Sequence, residues 1–342
     1  MQNFGMYGDS FSPSSGGSFY GEELRLNAKR ERHEIRLLGT VTGAVILFSV
    51  LLENILVLPL IFTKTYDVYL NDMLLRTGID IIISILSLLL PFAFGAKVLK
   101  KISGTDRNIL LDSPADKSQF LLAIPAGLGF CMIANRVSSV IIMIMSMFGL
   151  ELSSPDIPMP NGLLGMTASF FRVVAVAAII EELCFRGFVM QNLRKFGDWF
   201  AIVVSAFVFG MMHCNLIQAP FALIAGIALG YLSVKTNSLW TGIVIHALNN
   251  FLSLAVSYLM NYIDETAAGL IYSGIMSVLT VVGLICFAVF YKKQRATEYG
   301  MKPSQTHNGF WSKVGAFFSN PTMIITLGIM FYLTSTFVKK AG

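Results

Sequence analysis

"LGMTASFFRVVAVAAIIEELCFRGFVMQN", residues 164–192, is long and apolar enough to cross a bilayer, yet it holds Arg172, Glu181, Glu182 and Arg186. About 20 apolar residues span the hydrocarbon core, and each charge inside such a run resists insertion. The stretch reads as a transmembrane helix that keeps its charges for a purpose. The rest of the chain agrees. Of 342 residues, 55% are hydrophobic and 13% charged, where a soluble domain carries about 25% charged residues. Most of the chain must therefore sit in lipid. Helix is the expected state throughout, because lipid offers the backbone no hydrogen-bond partners. The expected fold is all-α, a polytopic membrane bundle.

Runs of this kind recur at roughly 37–63, 79–98, 118–149, 164–192, 199–216, 219–235, 239–260 and 268–291, which makes eight spans. A shorter run at 321–338 ends at Lys339 and Lys340, and either crosses as a ninth helix or lies at the interface. Basic residues gather after alternate spans (Lys97, Lys100, Lys101 and Arg107; Arg194 and Lys195; Lys235; Lys292, Lys293 and Arg295), while "ELSSPDIP" and "NYIDETAAG" lie on the other side. The positive-inside rule then gives a cytoplasmic N-terminus. The formal net charge of +5 needs no nucleic acid to explain it. Residues 1–36, rich in Gly and Ser and then basic, read as a disordered cytoplasmic tail with a juxtamembrane segment, ahead of a transmembrane domain at 37–342. The first hydrophobic run starts too late and is too long for a signal peptide. Cys131, Cys184, Cys214 and Cys286 form no CxxC pair and read as small buried hydrophobes. Short connections and the absence of sorting signals point to a bacterial cytoplasmic membrane.

Helix geometry separates the two glutamates. Glu182 and Arg186 are four apart and share a face, where an ion pair offsets part of the cost of both. Glu181 points about 100° away, along the stripe of Cys184, Phe185 and Phe188. The carboxylate without a partner in its own helix is the better candidate for a general base. Glu53, Arg136 and Arg172 also lie in apolar runs, and read first as paired structural charges facing the bundle interior.

Two of the four histidines fall in the following spans. "SAFVFGMMHCN" places His213 one turn after Phe209, and "SLWTGIVIHALNNF" places His246 four residues before Asn250, with Asn249 adjacent. Counting about 1.5 Å per residue from the cytoplasmic ends, Glu181 and Asn250 fall about 15 Å deep, His246 about 10 Å and His213 about 20 Å. Helix tilt can bring these four into one buried polar cluster.

Glu181-Glu182-x-x-x-Arg186, Phe209-x-x-x-His213 and His246-x-x-x-Asn250, in that order and each on its own span, resemble the three motifs of the CPBP intramembrane proteases. That family includes the type II CAAX prenyl endopeptidases and bacterial bacteriocin-processing or self-immunity proteins. The likeness covers about 165–260, the expected catalytic core. It implies hydrolysis of peptide bonds in membrane-associated peptides or proteins. Glu181 would activate the water, His213 would hold it and protonate the leaving amine, and His246 and Asn250 would stabilise the oxyanion. Glu182, Arg186 and Phe209 would support them. The same residues admit a second chemistry, in which Glu181, His213 and His246 ligate zinc and Glu182 is the base. The absence of HExxH and the pairing of His246 with Asn250 favour the glutamate mechanism without metal. Two further functions compete: a catalytically silent binding or immunity scaffold, and a transporter, for which no inverted repeat is visible.

Overall fold

The computed structural model describes residues 16–63, 65–103, 111, 113–155, 159–294, 301 and 306–340. Its helices are α1 (Gly16–Phe62), α2 (Tyr66–Asn71), α3 (Met73–Ser103), α4 (Lys117–Met147), α5 (Gly162–Phe196), α6 (Asp198–Met212), α7 (Ala219–Thr236), α8 (Leu239–Leu259), α9 (Glu265–Gln294), α10 (Phe310–Phe318) and α11 (Pro321–Thr336). Leu150–Leu152 (β1) and Val338–Lys340 (β2) pair antiparallel, setting Glu151 opposite Lys339. The protein is a helical membrane bundle.

Among the described residues, seven helices are long and apolar enough to cross a membrane: α1, α3, α4, α5, α7, α8 and α9. The count reaches eight if α10 and α11, bent by 79° at a short break, form one broken span. The apolar run at 321–338 is thus the second limb of a bent pair. The expected fifth span, 199–216, differs more. Its helix, α6, has 15 residues, about 22 Å at 1.5 Å per residue, against a hydrocarbon core of about 30 Å. It stops at His213, short of a full crossing. The expected disordered tail also differs: α1 is helical from Gly16, and Ile35 is fully buried. Residues 1–15 of that tail lie outside the described residues.

Two apolar clusters surround the charged stretch. On one side α1, α3, α5, α6, α10 and α11 bury a core in which Phe92 meets Phe185 and Phe188 edge-on, at centroid distances of 5.7 and 5.4 Å. On the other, α4, α7, α8 and α9 pack around Met132, Leu232 and Ile245. Lipid gives helices no hydrophobic reason to associate, so close approach through small residues matters. Gly129 and Gly283 supply it between α4 and α9: a Cβ added at Gly283 would lie 2.6 Å from the Gly129 Cα. The α4 N-terminus is capped by Asp116, which accepts from the Ser118 and Gln119 amides and pairs with Lys293 of α9. Hydrogen bonds from Ser118 and Lys293 hold the Asp116 carboxyl well below the usual carboxylate range.

Candidate active site

Helix α5 carries the charged stretch in an altered winding. Phe170–Val176 and Glu182–Met190 are π-helical, with the ordinary turn Ala177–Glu181 between them. Wide turns closed by i→i+5 bonds occur often at functional sites. Glu181 ends the ordinary turn and Glu182 opens the second wide one, so the two adjacent carboxylates leave the helix in different surroundings.

Glu182 is completely buried. Its Oε1 lies 3.0 Å from Arg186 Nη1, the i,i+4 ion pair read from the sequence. The same oxygen accepts from His246 Nδ1 at 3.1 Å. The Arg186 guanidinium rests over the Phe209 ring, 4.3 Å from its centroid. That ring also meets His213 and His246 nearly at right angles, at 4.9 and 6.0 Å. Phe209 is the apolar hub on which the cation and both imidazoles are placed. The backbone of α8 comes equally close: a Cβ at Gly242 would lie 2.6 Å from Glu182 Oε2.

Glu181 has a different environment. Its side chain keeps 23% exposure, and its Oε2 faces His246 Nε2 at 3.7 Å. It borders a cavity of about 550 Å³ whose walls include Phe209, His213, His246 and Asn250. The three motifs therefore meet at one cavity inside the bundle.

The short length of α6 is what delivers His213. Irregular backbone at membrane depth is tolerated where it lines a cavity inside protein, and the α6–α7 connection does so through His213, Ile217 and Gln218. Asn215, fully buried, closes that loop: its Nδ2 donates to His213 O (2.8 Å) and Gln218 Oε1 (3.1 Å), and its Oδ1 accepts from the Gln218 amide. His213 Nδ1 lies 3.0 Å from Phe209 O. A carbonyl only accepts, so this nitrogen carries the proton and Nε2 keeps its lone pair. The carboxylate of Glu182 imposes the same tautomer on His246. Asn250 donates from Nδ2 to Val173 O, in the first wide turn, at 2.9 Å.

The zinc alternative fares differently. Among the described residues, no group of three or more His, Cys, Asp or Glu is placed to hold a metal ion. Glu181, His213 and His246 border the same cavity.

Of the remaining intramembrane charges, Arg172 pairs with Asp80 of α3 at 2.9 Å, and Asp80 accepts from the Tyr69 hydroxyl at 2.7 Å. Arg136 donates to Ser277 of α9 at 2.7 Å. Glu53 is exposed on α1. Sequence reasoning misses Asp80, although a lone acid in "IDIIISILS" is a readable signal. It also misses Asn135 and Ser138 of α4, which line the cavity. Their only mark is polarity at i and i+3 in an apolar helix.

Comparison with curated proteins and with solved structures finds no match. The segment bearing all three motifs, residues 163–252, matches the family model described as type II CAAX prenyl endopeptidase Rce1-like, in agreement with the likeness of its motifs.

Proposed function

We propose that the protein is an intramembrane endopeptidase that cleaves peptide bonds of membrane-associated peptides or proteins with a water activated by Glu181. The family match supports CAAX-type protease activity at this site. The observation that carries the reading is the contrast between the carboxylates: Glu182 is enclosed by Arg186 and His246, while Glu181 faces the cavity opposite His246 Nε2.

In this mechanism His213 Nε2 accepts a hydrogen bond from the water and orients it. Glu181 takes one proton as the oxygen attacks the scissile carbonyl carbon, and the carbonyl oxygen becomes an oxyanion. The second N–H of Asn250 donates to that oxyanion, where the low dielectric strengthens it. With its proton on Nδ1 against Glu182, His246 cannot donate from Nε2 to the oxyanion as the sequence reading has it. Instead it takes over the proton delivery expected of His213, receiving the proton from Glu181 at Nε2 as an imidazolium stabilised by Glu182 on its far side. The proton then goes to the leaving nitrogen as the C–N bond breaks, which gives a carboxylic acid and an amine. Glu182 and Arg186 act through His246 and the helix and do not touch substrate.

The test uses purified full-length protein in lipid nanodiscs and a prenylated peptide ending in a CAAX sequence, with products read by mass spectrometry. Wild type cleaves it. Glu181→Gln keeps the fold, since it removes a group with no tight partner, and loses cleavage by at least about a hundredfold, the low end for a general base. A folded Glu181→Gln variant that cleaves at the wild-type rate removes Glu181 from the mechanism.

A further inference from the structure

Three cavity-lining residues on α4 and α8 play no part in this chemistry. Asn135 Nδ2, Ser138 Oγ and Asn249 Oδ1 are buried and have no hydrogen-bond partner within the protein. Ser138 and Asn249 are only 5% and 4% exposed, and all three residues line the cavity that Glu181 borders. Buried polar groups are nearly always paired, and an orphan calls for an explanation.

The orientation of Asn249 follows from a backbone carbonyl. Val173 O can only accept, so the amide of Asn250 must present Nδ2 to it. Asn250 Oδ1 then faces Asn249, whose Nδ2 donates to it at 3.4 Å. This leaves Asn249 Oδ1 as an acceptor at the wall. Asn135 Nδ2 is a donor, and Ser138, three residues on along the same face of α4, can act as either. The wall thus holds an uncharged acceptor and an uncharged donor, the complement of a peptide group. A lipid chain offers neither partner, and an ion matches only one of them.

We propose that Asn135, Ser138 and Asn249 form a main-chain subsite for the peptide substrate, in which Asn249 Oδ1 accepts from a substrate N–H and Asn135 Nδ2 donates to a substrate carbonyl. The proposal rests on the peptidase reading and adds to it residues of α4, outside the matched segment 163–252. These atoms are buried, and an entering peptide engages them as the side chains turn toward it. An extended chain presents a carbonyl and an amide every ~3.3 Å, so the subsite reads backbone and leaves side-chain choice to other walls.

The test measures binding to the full-length Glu181→Gln protein in nanodiscs, so that affinity is read without turnover. The probes are a prenylated CAAX peptide and a set of analogues with one amide at a time replaced by an ester, which deletes an N–H with little change of shape. One analogue is expected to bind about tenfold more weakly, the effect of one lost hydrogen bond. The penalty should vanish in Asn249→Leu and persist in Asn249→Asp, which keeps an acceptor. Should Asn249→Leu fail to fold, Asn135→Leu should weaken the parent peptide by a similar factor. Equal binding of all analogues, a penalty unchanged in Asn249→Leu, or no binding of the parent peptide overturns the subsite. Cleavage by Glu181→Gln sinks the catalytic reading instead, and leaves the ester comparison intact.

Discussion

The Glu182–Arg186 pair makes a sharp prediction about stability. Glu182 is fully enclosed and Arg186 is 1% exposed, with charges 3.0 Å apart. Removing one partner of such a pair costs about 3–5 kcal/mol, because the other charge stays buried without compensation. Glu182→Gln does this while keeping an acceptor for His246 Nδ1. Arg186→Met does it from the other side and also loses the stacking on Phe209. At about 1.4 kcal/mol per factor of ten, either change should raise the unfolded-to-folded ratio by about two to three and a half orders of magnitude. The double variant removes both charges together, and replacing a whole buried ion pair is often neutral. It should therefore recover most of the loss. Denaturant unfolding in detergent micelles reads this directly through thiol labelling of Cys131 and Cys184, each 1% exposed in the folded state. A double variant as unstable as the sum of the singles would mean that the charges do not couple. Singles costing less than about 1 kcal/mol, the range of an exposed pair, would place the pair in a wet environment and refute the enclosure argument.

Other sites give independent checks. Gly242→Ala sets a methyl 2.6 Å from Glu182 Oε2 and 2.9 Å from Ser233 Oγ, so it should destabilise by about 1–3 kcal/mol, as overpacking does, and lower cleavage by displacing Glu182 from His246; wild-type activity would show that the α8 backbone has room to spare. Tyr69 lies between spans, where burial and the hydrogen bond to Asp80 raise its phenol above the ordinary 10.0. Its stabilising contribution is thus complete below pH 10.0 and fades as pH rises through the raised value. Unfolding curves of Tyr69→Phe should be flatter than wild type above about pH 10, and curves that stay parallel would contradict this. Chelator treatment should leave cleavage unchanged, and elemental analysis should find no stoichiometric zinc; a metal-dependent activity would require Glu181, His213 and His246 to converge in a way that this geometry does not show.

The bundle was legible because lipid imposes one rule on every span: long, apolar and internally hydrogen-bonded. The i,i+4 spacing of Glu182 and Arg186 was legible for the same reason, since an ion pair within one helix depends on local geometry alone. The widened turns of α5 were not. Residues 170–176 and 182–190 contain no proline or insertion mark, and their winding comes from contacts such as that of Asn250 with Val173. The shortness of α6 was hidden as well. "MMHCNLIQAP" continues the apolar pattern past Met212, and the chain turns there through the left-handed backbone of Cys214 (φ +50°) and the side-chain closure by Asn215. Likewise, the sequence pairs Glu182 with Arg186 yet cannot show its second partner, His246, because that contact joins residues 64 apart.

In the proposed mechanism, that second partner is what divides the work between the two neighbouring carboxylates. A carboxylate that already compensates a buried guanidinium and accepts from an imidazole cannot take up a proton without leaving both unbalanced. Glu182 is therefore occupied by Arg186 and His246, and in the proposed mechanism its effect on chemistry passes through the tautomer of His246. Glu181, one residue earlier, has neither contact and faces His246 Nε2 at 3.7 Å, which is why the proposed mechanism gives it the proton transfer. The two glutamine substitutions should then behave oppositely. Glu181→Gln should abolish turnover at nearly unchanged stability, and Glu182→Gln should cost stability first and turnover as a consequence. If Glu182→Gln proved stable and inactive while Glu181→Gln proved unstable and active, the roles assigned to the pair would be exchanged, and with them the direction of proton flow through His246.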